Sequence, residues 1–166
     1  MPDPESPPTI FSPDDPVETL WIQAYQGEIL GELLFAGIAD QVTEPDQARK
    51  MGVLAMLERR TGQAMIPALE RAGIPTGPDP ETVQLAEALI EGTRADSWAG
   101  ILGSFESITT QFLAVYRRIG ELAPAERDTA DLLVAHELAL GAFARRELAG
   151  DGAGSLSAIE ALPHMA

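Results

Sequence analysis

The 166-residue chain sets 11 Lys and Arg against 26 Asp and Glu, a formal net charge of −15. A surface that acidic repels nucleic-acid backbones and anionic membranes, so neither is an expected partner. It holds no cysteine, which excludes disulfides, zinc fingers and thiolate chemistry. Its 45% apolar content suits one globular domain with its own core. No leader pattern opens the sequence, and no apolar run nears the roughly 20 residues of a membrane span, so a cytoplasmic location is expected.

Residues 1–14 carry Pro2, Pro4, Pro7, Pro8 and Pro13, a density that favours an extended arm over a helix. Ile10 and Phe11 are candidates to anchor it. Residues 15–150 read as one helical domain. Asp15 is a candidate N-cap with Pro16 in the first turn, and the first helix is expected from about Pro16 to Val42. On it Trp21, Tyr25, Glu28, Glu32 and Phe35 share a face, while Ile22, Ile29, Leu33 and Leu34 make the other faces apolar. Thr43 and the acidic residues after it open a second helix that runs to about Ala72 and stops at Gly73. Its inner stripe is Met51, Leu54, Glu58, Thr61, Met65 and Leu69. Arg49, Lys50, Arg59 and Arg60 are placed on its outer face, and Pro67 should kink it.

The Pro- and Gly-rich stretch 73–80 is a loop, followed by a short amphipathic helix over 81–93. Asp96 or Ser97 caps a longer helix to about Gly120, lined by Ile101, Leu102, Phe105, Thr109, Phe112, Leu113 and Tyr116, with Glu106 among them. Pro124 opens the last long helix, which ends at Gly150 and is striped by Leu132, Leu133, His136, Leu140 and Phe143, with Glu137 on the adjoining edge. Residues 151–166 read as a flexible break and a short helix packed on the bundle. In that tail Glu160 and His164 have no evident partner. Four long helices without the period-2 pattern of strands predict an all-α four-helix bundle.

Each long helix places an ionisable side chain on its apolar stripe near mid-length: Glu28 and Glu32, Glu58, Glu106, then His136 and Glu137. Equal heights on facing helices meet at a bundle axis, and oxygen ligands with an imidazole suit iron, manganese or zinc. The alternative is a metal-free cluster in which protonated carboxylates bond to Tyr25, Thr61, Thr109 or His136. Gly31, Gly62, Gly103 and Gly141 lie within helices, where they permit close helix approach or leave room for a ligand. Trp21, Phe35, Phe105, Phe112 and Phe143 are expected first as core; Trp21, Tyr25, Thr61, Phe105 and Phe143 are secondarily candidate walls of a central pocket that would admit a small apolar molecule.

Tyr25-x-x-Glu28-x-x-x-Glu32, Leu57-Glu58 before Thr61, Glu106, and His136-Glu137 before Phe143 and Glu147-Leu148 make residues 17–150 resemble the ferritin-like superfamily. The likeness is to its small bacterial rubrerythrin-like and tRNA-hydroxylase-like members. It implies an antiparallel bundle with a long connection between helices two and three, short extra helices, and an oxygen-activating metal site. By that resemblance Glu28 and Glu106 are single-Glu ligands and Glu58 begins a Glu-x-x-His. Thr61 stands where that histidine would be, and Leu133 and Leu140 break the motif on the last helix, which leaves Glu32 as a replacement ligand. The expected cofactor is iron, with manganese or zinc as alternatives. The competing reading is a degenerate, metal-free bundle that binds a small molecule or a protein. The apolar girth of the first helix suggests a homodimer, unless the short helices cover it within one chain.

Overall fold

The computed structural model describes residues 12–166, and among them every regular element is helical. The arm expected over 1–14 falls largely outside the described residues. Seven α-helices follow one another: α1 (Val17–Gln41), α2 (Pro45–Arg71), α3 (Pro80–Gly92), α4 (Trp98–Gly103), α5 (Phe105–Leu122), α6 (Arg127–Leu148) and α7 (Ser157–Glu160). Short 3-10 turns sit at Thr93–Ala95, Pro124–Glu126 and Pro163–Met165. No described helix is long and apolar enough to cross a membrane.

The expected boundaries of α1 and α2 hold to within a residue or two, because proline and glycine set them. Pro45 takes the first turn of α2, and Gly73 leaves that helix at φ +70°, a conformation that costs glycine nothing. Asp15 does not cap α1; its carboxylate instead accepts Gln23 Nε2 at 2.8 Å. Thr43 likewise makes no cap for α2. Ser97 does cap, taking the Gly100 N–H at 3.1 Å. The long helix expected from there to Gly120 is divided at Ser104, whose hydroxyl donates to the Ile101 carbonyl at 2.8 Å. A side chain bonded back onto its own helix, next to Gly103, is a sufficient cause of such a break.

α1 packs along α2, and α5 along α6; α1 also meets α5, and α2 meets α6, giving a bundle-like closed set of four. Contacts run in opposite order along each pair. Tyr25 lies beside Gly62 and Glu58 beside Gly31; Phe112 lies beside Gly27, and Phe105 stacks on Phe35. Ala130 faces Gly120 while Thr109 faces Gly141. α3 lies across α1, with Ile90 against Gly37, Gln41 donating to the Ile90 carbonyl, and Gln26 joined to Gly77, Asp79 and Thr82. α3 thus covers part of the apolar girth of α1 from within the chain, while Ile22 stays exposed.

Two apolar clusters fill the interior. One gathers Phe35, Ile38, Met51, Leu54, Leu57, Phe105, Leu140 and Phe143. The other gathers Leu20, Trp21, Tyr25, Met65, Leu69, Tyr116, Ile119 and Leu133. Between them in sequence on α1, α2 and α6 stand Glu28, Glu58 and His136, so a polar layer divides the core.

Lys50 is not on an outer face. It is 3% exposed, and its ammonium lies 2.5 Å from Glu147 Oε1 and 2.7 Å from Asp46 Oδ2. Trp98 Nε1 donates to the same Glu147 at 3.0 Å. Burial opposes the Lys50 charge, yet its bonds to Asp46 and Glu147 raise its pKa above the ordinary value. Residues 151–166, expected to begin as a flexible break, are tied down: Arg146 donates to the Gly154 carbonyl at 2.6 Å and to Ser157 Oγ at 2.7 Å. Leu156, Ile159 and Leu162 from this segment enter the first apolar cluster.

Candidate metal centre

The buried stripe of α1 passes through Leu20, Ala24, Glu28, Phe35 and Ile38 at helical spacing, so Glu28 cannot turn to water without unwinding the helix. Glu58 on α2 and His136 on α6 are caught in the same way. All three are almost fully buried, at 1%, 4% and 1% exposure. One potential ligand atom from each lies within 4.8 Å of the others. Gly31 makes this convergence possible. A Cβ at that position would stand 2.7 Å from the Glu58 carboxyl carbon and Oε2, so only glycine leaves space for Glu58 to lie against α1.

His136 Nε2 lies 3.1 Å from Glu58 Oε1, and Nδ1 lies 3.5 Å from Glu28 Oε1. The Tyr116 hydroxyl donates to Glu28 Oε1 at 2.9 Å. Burial opposes charge on His136, but the carboxylates of Glu28 and Glu58 outweigh it and hold its pKa well above the ordinary value. Burial also raises the pKa of Glu58 well above its usual range; the His136 charge opposes the rise and Glu28 adds to it. Burial, with the charges of Glu28, Glu137 and Glu58, raises that of Tyr116, which therefore stays a donor.

Glu137, 3% exposed, is pushed up to about 8, mainly by burial; His136 counters the push and Glu28 reinforces it.

Two polar atoms of this cluster, Glu28 Oε2 and His136 Nδ1, are buried without a hydrogen-bond partner among the described residues. Buried polar atoms are normally satisfied, and a cation between them would satisfy both. Two carboxylates and one imidazole are also a donor set that iron(II), manganese(II) and zinc(II) accept. Glu28, Glu58 and His136 therefore fit a metal ion, and form a buried group that could hold one.

Other expected ligands are placed elsewhere. Glu106 is exposed in the first turn of α5, because the stripe of that helix runs through Phe105, Thr109 and Tyr116 and carries Glu106 round toward solvent. Glu32 is turned aside to Arg59 Nε, 2.8 Å away at the edge of the bundle. Glu137 is buried next to His136 but is not one of the three converging groups. Thr61 donates to the Leu57 carbonyl at 2.9 Å and lies 3.0 Å from Nε2 of His164, so His164 does have a partner.

The expected pocket walls are core. Trp21 and Tyr25 belong to one apolar cluster, Phe105 and Phe143 to the other. A cleft of about 200 Å³ lies elsewhere, between Ile38, Gln47, Arg94 and Trp98.

Tyr116 joins the site without having been expected there. A tyrosine on a buried stripe needs a partner for its hydroxyl, and that signal was present in the sequence. No protein-family model, curated protein or solved structure matches the chain.

Proposed function

We propose that this chain is a ferritin-like metal-binding protein, an antiparallel four-helix bundle holding one divalent transition-metal ion at Glu28, Glu58 and His136. The observation that carries the reading is the convergence of these three buried groups around two unsatisfied atoms, Glu28 Oε2 and His136 Nδ1. The opposite order of contacts along each helix pair supports the bundle topology, with α3 and α4 forming the long connection. Glu28, Glu58 and His136 would hold the ion, with the Tyr116 hydroxyl bonded to the Glu28 carboxylate. Three protein ligands leave coordination positions free for a small molecule. Iron in such a place would supply redox chemistry toward dioxygen, and the protein would then be an oxidoreductase. Manganese and zinc are the alternative occupants.

The test is thermal. Metal bound to the folded state alone adds its binding energy to stability. Iron(II) under argon, manganese(II) or zinc(II) should raise the melting temperature of chelator-treated protein at neutral pH. Glu58→Ala should abolish the rise and His136→Ala should weaken it. Equal melting temperatures with and without each metal would overturn the proposal. A second reading is favoured by the bonds from Tyr116 to Glu28 and between His136 and Glu58. They let the cluster stand metal-free, as the polar layer of a bundle that binds a small molecule or a protein.

A further inference from the structure

His164 lies 103 residues beyond Thr61 in sequence and touches it in space. Thr61 follows Glu58 by three residues on α2, so the two share a face one turn apart. The ring held against Thr61 is near enough to the centre for His136 and Glu28 to act on it electrostatically. Its position is built from both sides. Leu162 is buried in the core just before it, and Arg60 Nη1 donates to the backbone oxygens of His164 and Ala166 at 3.2 and 3.3 Å. The Nδ1 atom of His164 is buried and has no hydrogen-bond partner among the described residues. That makes three unsatisfied buried atoms in this part of the molecule, counting Glu28 Oε2 and His136 Nδ1.

We propose that His164 supplies a second imidazole to the metal site, delivered from the 151–166 segment. When a divalent transition metal binds at Glu28, Glu58 and His136, the His164 ring turns from Thr61 Oγ1 toward the ion and completes a set of two carboxylates and two imidazoles. This rests on the proposed metal site and adds a ligand to it. Several features support the arrangement. His136 and Glu28 act electrostatically on His164; burial first, and then the His136 charge, lower its pKa against the opposing pull of Glu28. That direction favours the neutral ring, the form that binds metals. Thr61 Oγ1, 3.0 Å from His164 Nε2, is the present partner of the ring and leaves its Nδ1 without one. The site would consequently be closed by the same segment that completes it.

The direct measurement needs no variant. Copper(II) is loaded into the full chain as a spectroscopic probe, and pulsed electron paramagnetic resonance counts the imidazoles bound to it. Two are expected, and one would overturn the proposal. Zinc(II) affinity is then measured by chelator competition for the wild type, His164→Ala and His164→Gln, with circular dichroism and melting as checks on folding. Both variants should bind at least roughly 10-fold more weakly while retaining helical content. Wild-type affinity in a folded His164→Ala protein would overturn the role of His164 while leaving the three-residue site standing. Absence of binding in the wild type would overturn both.

Discussion

Replacing Gly31 by alanine probes the room that the centre requires, and Gly52 provides the control. Both glycines lie inside long helices, where alanine is favoured by about 1 kcal/mol. At Gly52 a new Cβ meets nothing within 4 Å, so Gly52→Ala should stabilise the protein by up to that amount. At Gly31 the Cβ would fall 2.7 Å from Glu58 Cδ and Oε2 and 2.9 Å from its Cγ. Glu58 cannot simply swing away, since it is buried and joined to His136 at 3.1 Å. Overpacking of this kind costs about 1–3 kcal/mol, and losing a charge-assisted bond costs about 1.5–3 kcal/mol. After the helix gain, Gly31→Ala should lose about 3 kcal/mol net. At about 2–4 °C per kcal/mol for a chain of this size, the two variants should melt on opposite sides of the wild type, about 8–16 °C apart. Urea titration gives the free energies, and chelator competition should show weaker zinc(II) binding for Gly31→Ala only. If Gly31→Ala melts as high as Gly52→Ala, the packing of Glu58 against α1 is refuted.

Stability of the metal-free protein should fall as pH rises from about 4.5 to 8. Folded Glu137 keeps its proton to about 8 while the unfolded residue loses it near 4.5, so the folded state binds more protons throughout that window. At about 1.4 kcal/mol per unit the effect reaches roughly 5 kcal/mol. The raised pKa values of Glu58 and His136 act with the same sign: the His136 share is complete below 6.5 and disappears as pH passes its folded value. The melting temperature in chelator should thus be higher at pH 5.5 than at pH 8.5, and Glu137→Gln should flatten the slope; a rise with pH would contradict this assignment. Lys50→Met should cost about 3–5 kcal/mol in denaturant titration, because it leaves Glu147 buried beside Trp98 without its cation. Zinc(II) affinity should not change, since Lys50 precedes Glu58 by eight residues, about 12 Å along the helix; a loss of affinity would show that the two networks are coupled.

The helices were legible because their signals are local. Apolar spacing traces α1, α2 and α6, and Pro45, Gly73 and Gly150 mark where chain direction changes. The converging Glu28, Glu58 and His136 were legible too, as ionisable residues on stripes that cannot face water. Glu106 was misplaced because one continuous helix from Ser97 was assumed, whereas α5 begins at Phe105 and its stripe runs through Phe105, Thr109 and Tyr116. The interruption at Ser104 depends on which carbonyl its hydroxyl chooses, and no periodicity records that. Lys50 shares a face with Leu54, Leu57 and Thr61, a spacing that marks it as inward-facing despite its charge. His164 could not. It meets Thr61 through the path of the chain after α6, which spacing within a helix does not encode.

The polar layer between the two apolar clusters also acts as a ruler. Leucine, methionine and alanine stripes on either side of it would pack nearly as well if one helix slid by a turn. Such a slip moves Glu28 about 5.4 Å relative to Glu58 and His136, beyond hydrogen-bond reach, and leaves buried carboxylates without partners. Misaligned assemblies are therefore penalised at this layer even when no ion is present. The atoms that would hold a ligand also fix how the helices are aligned, so no substitution among them can be silent in folding.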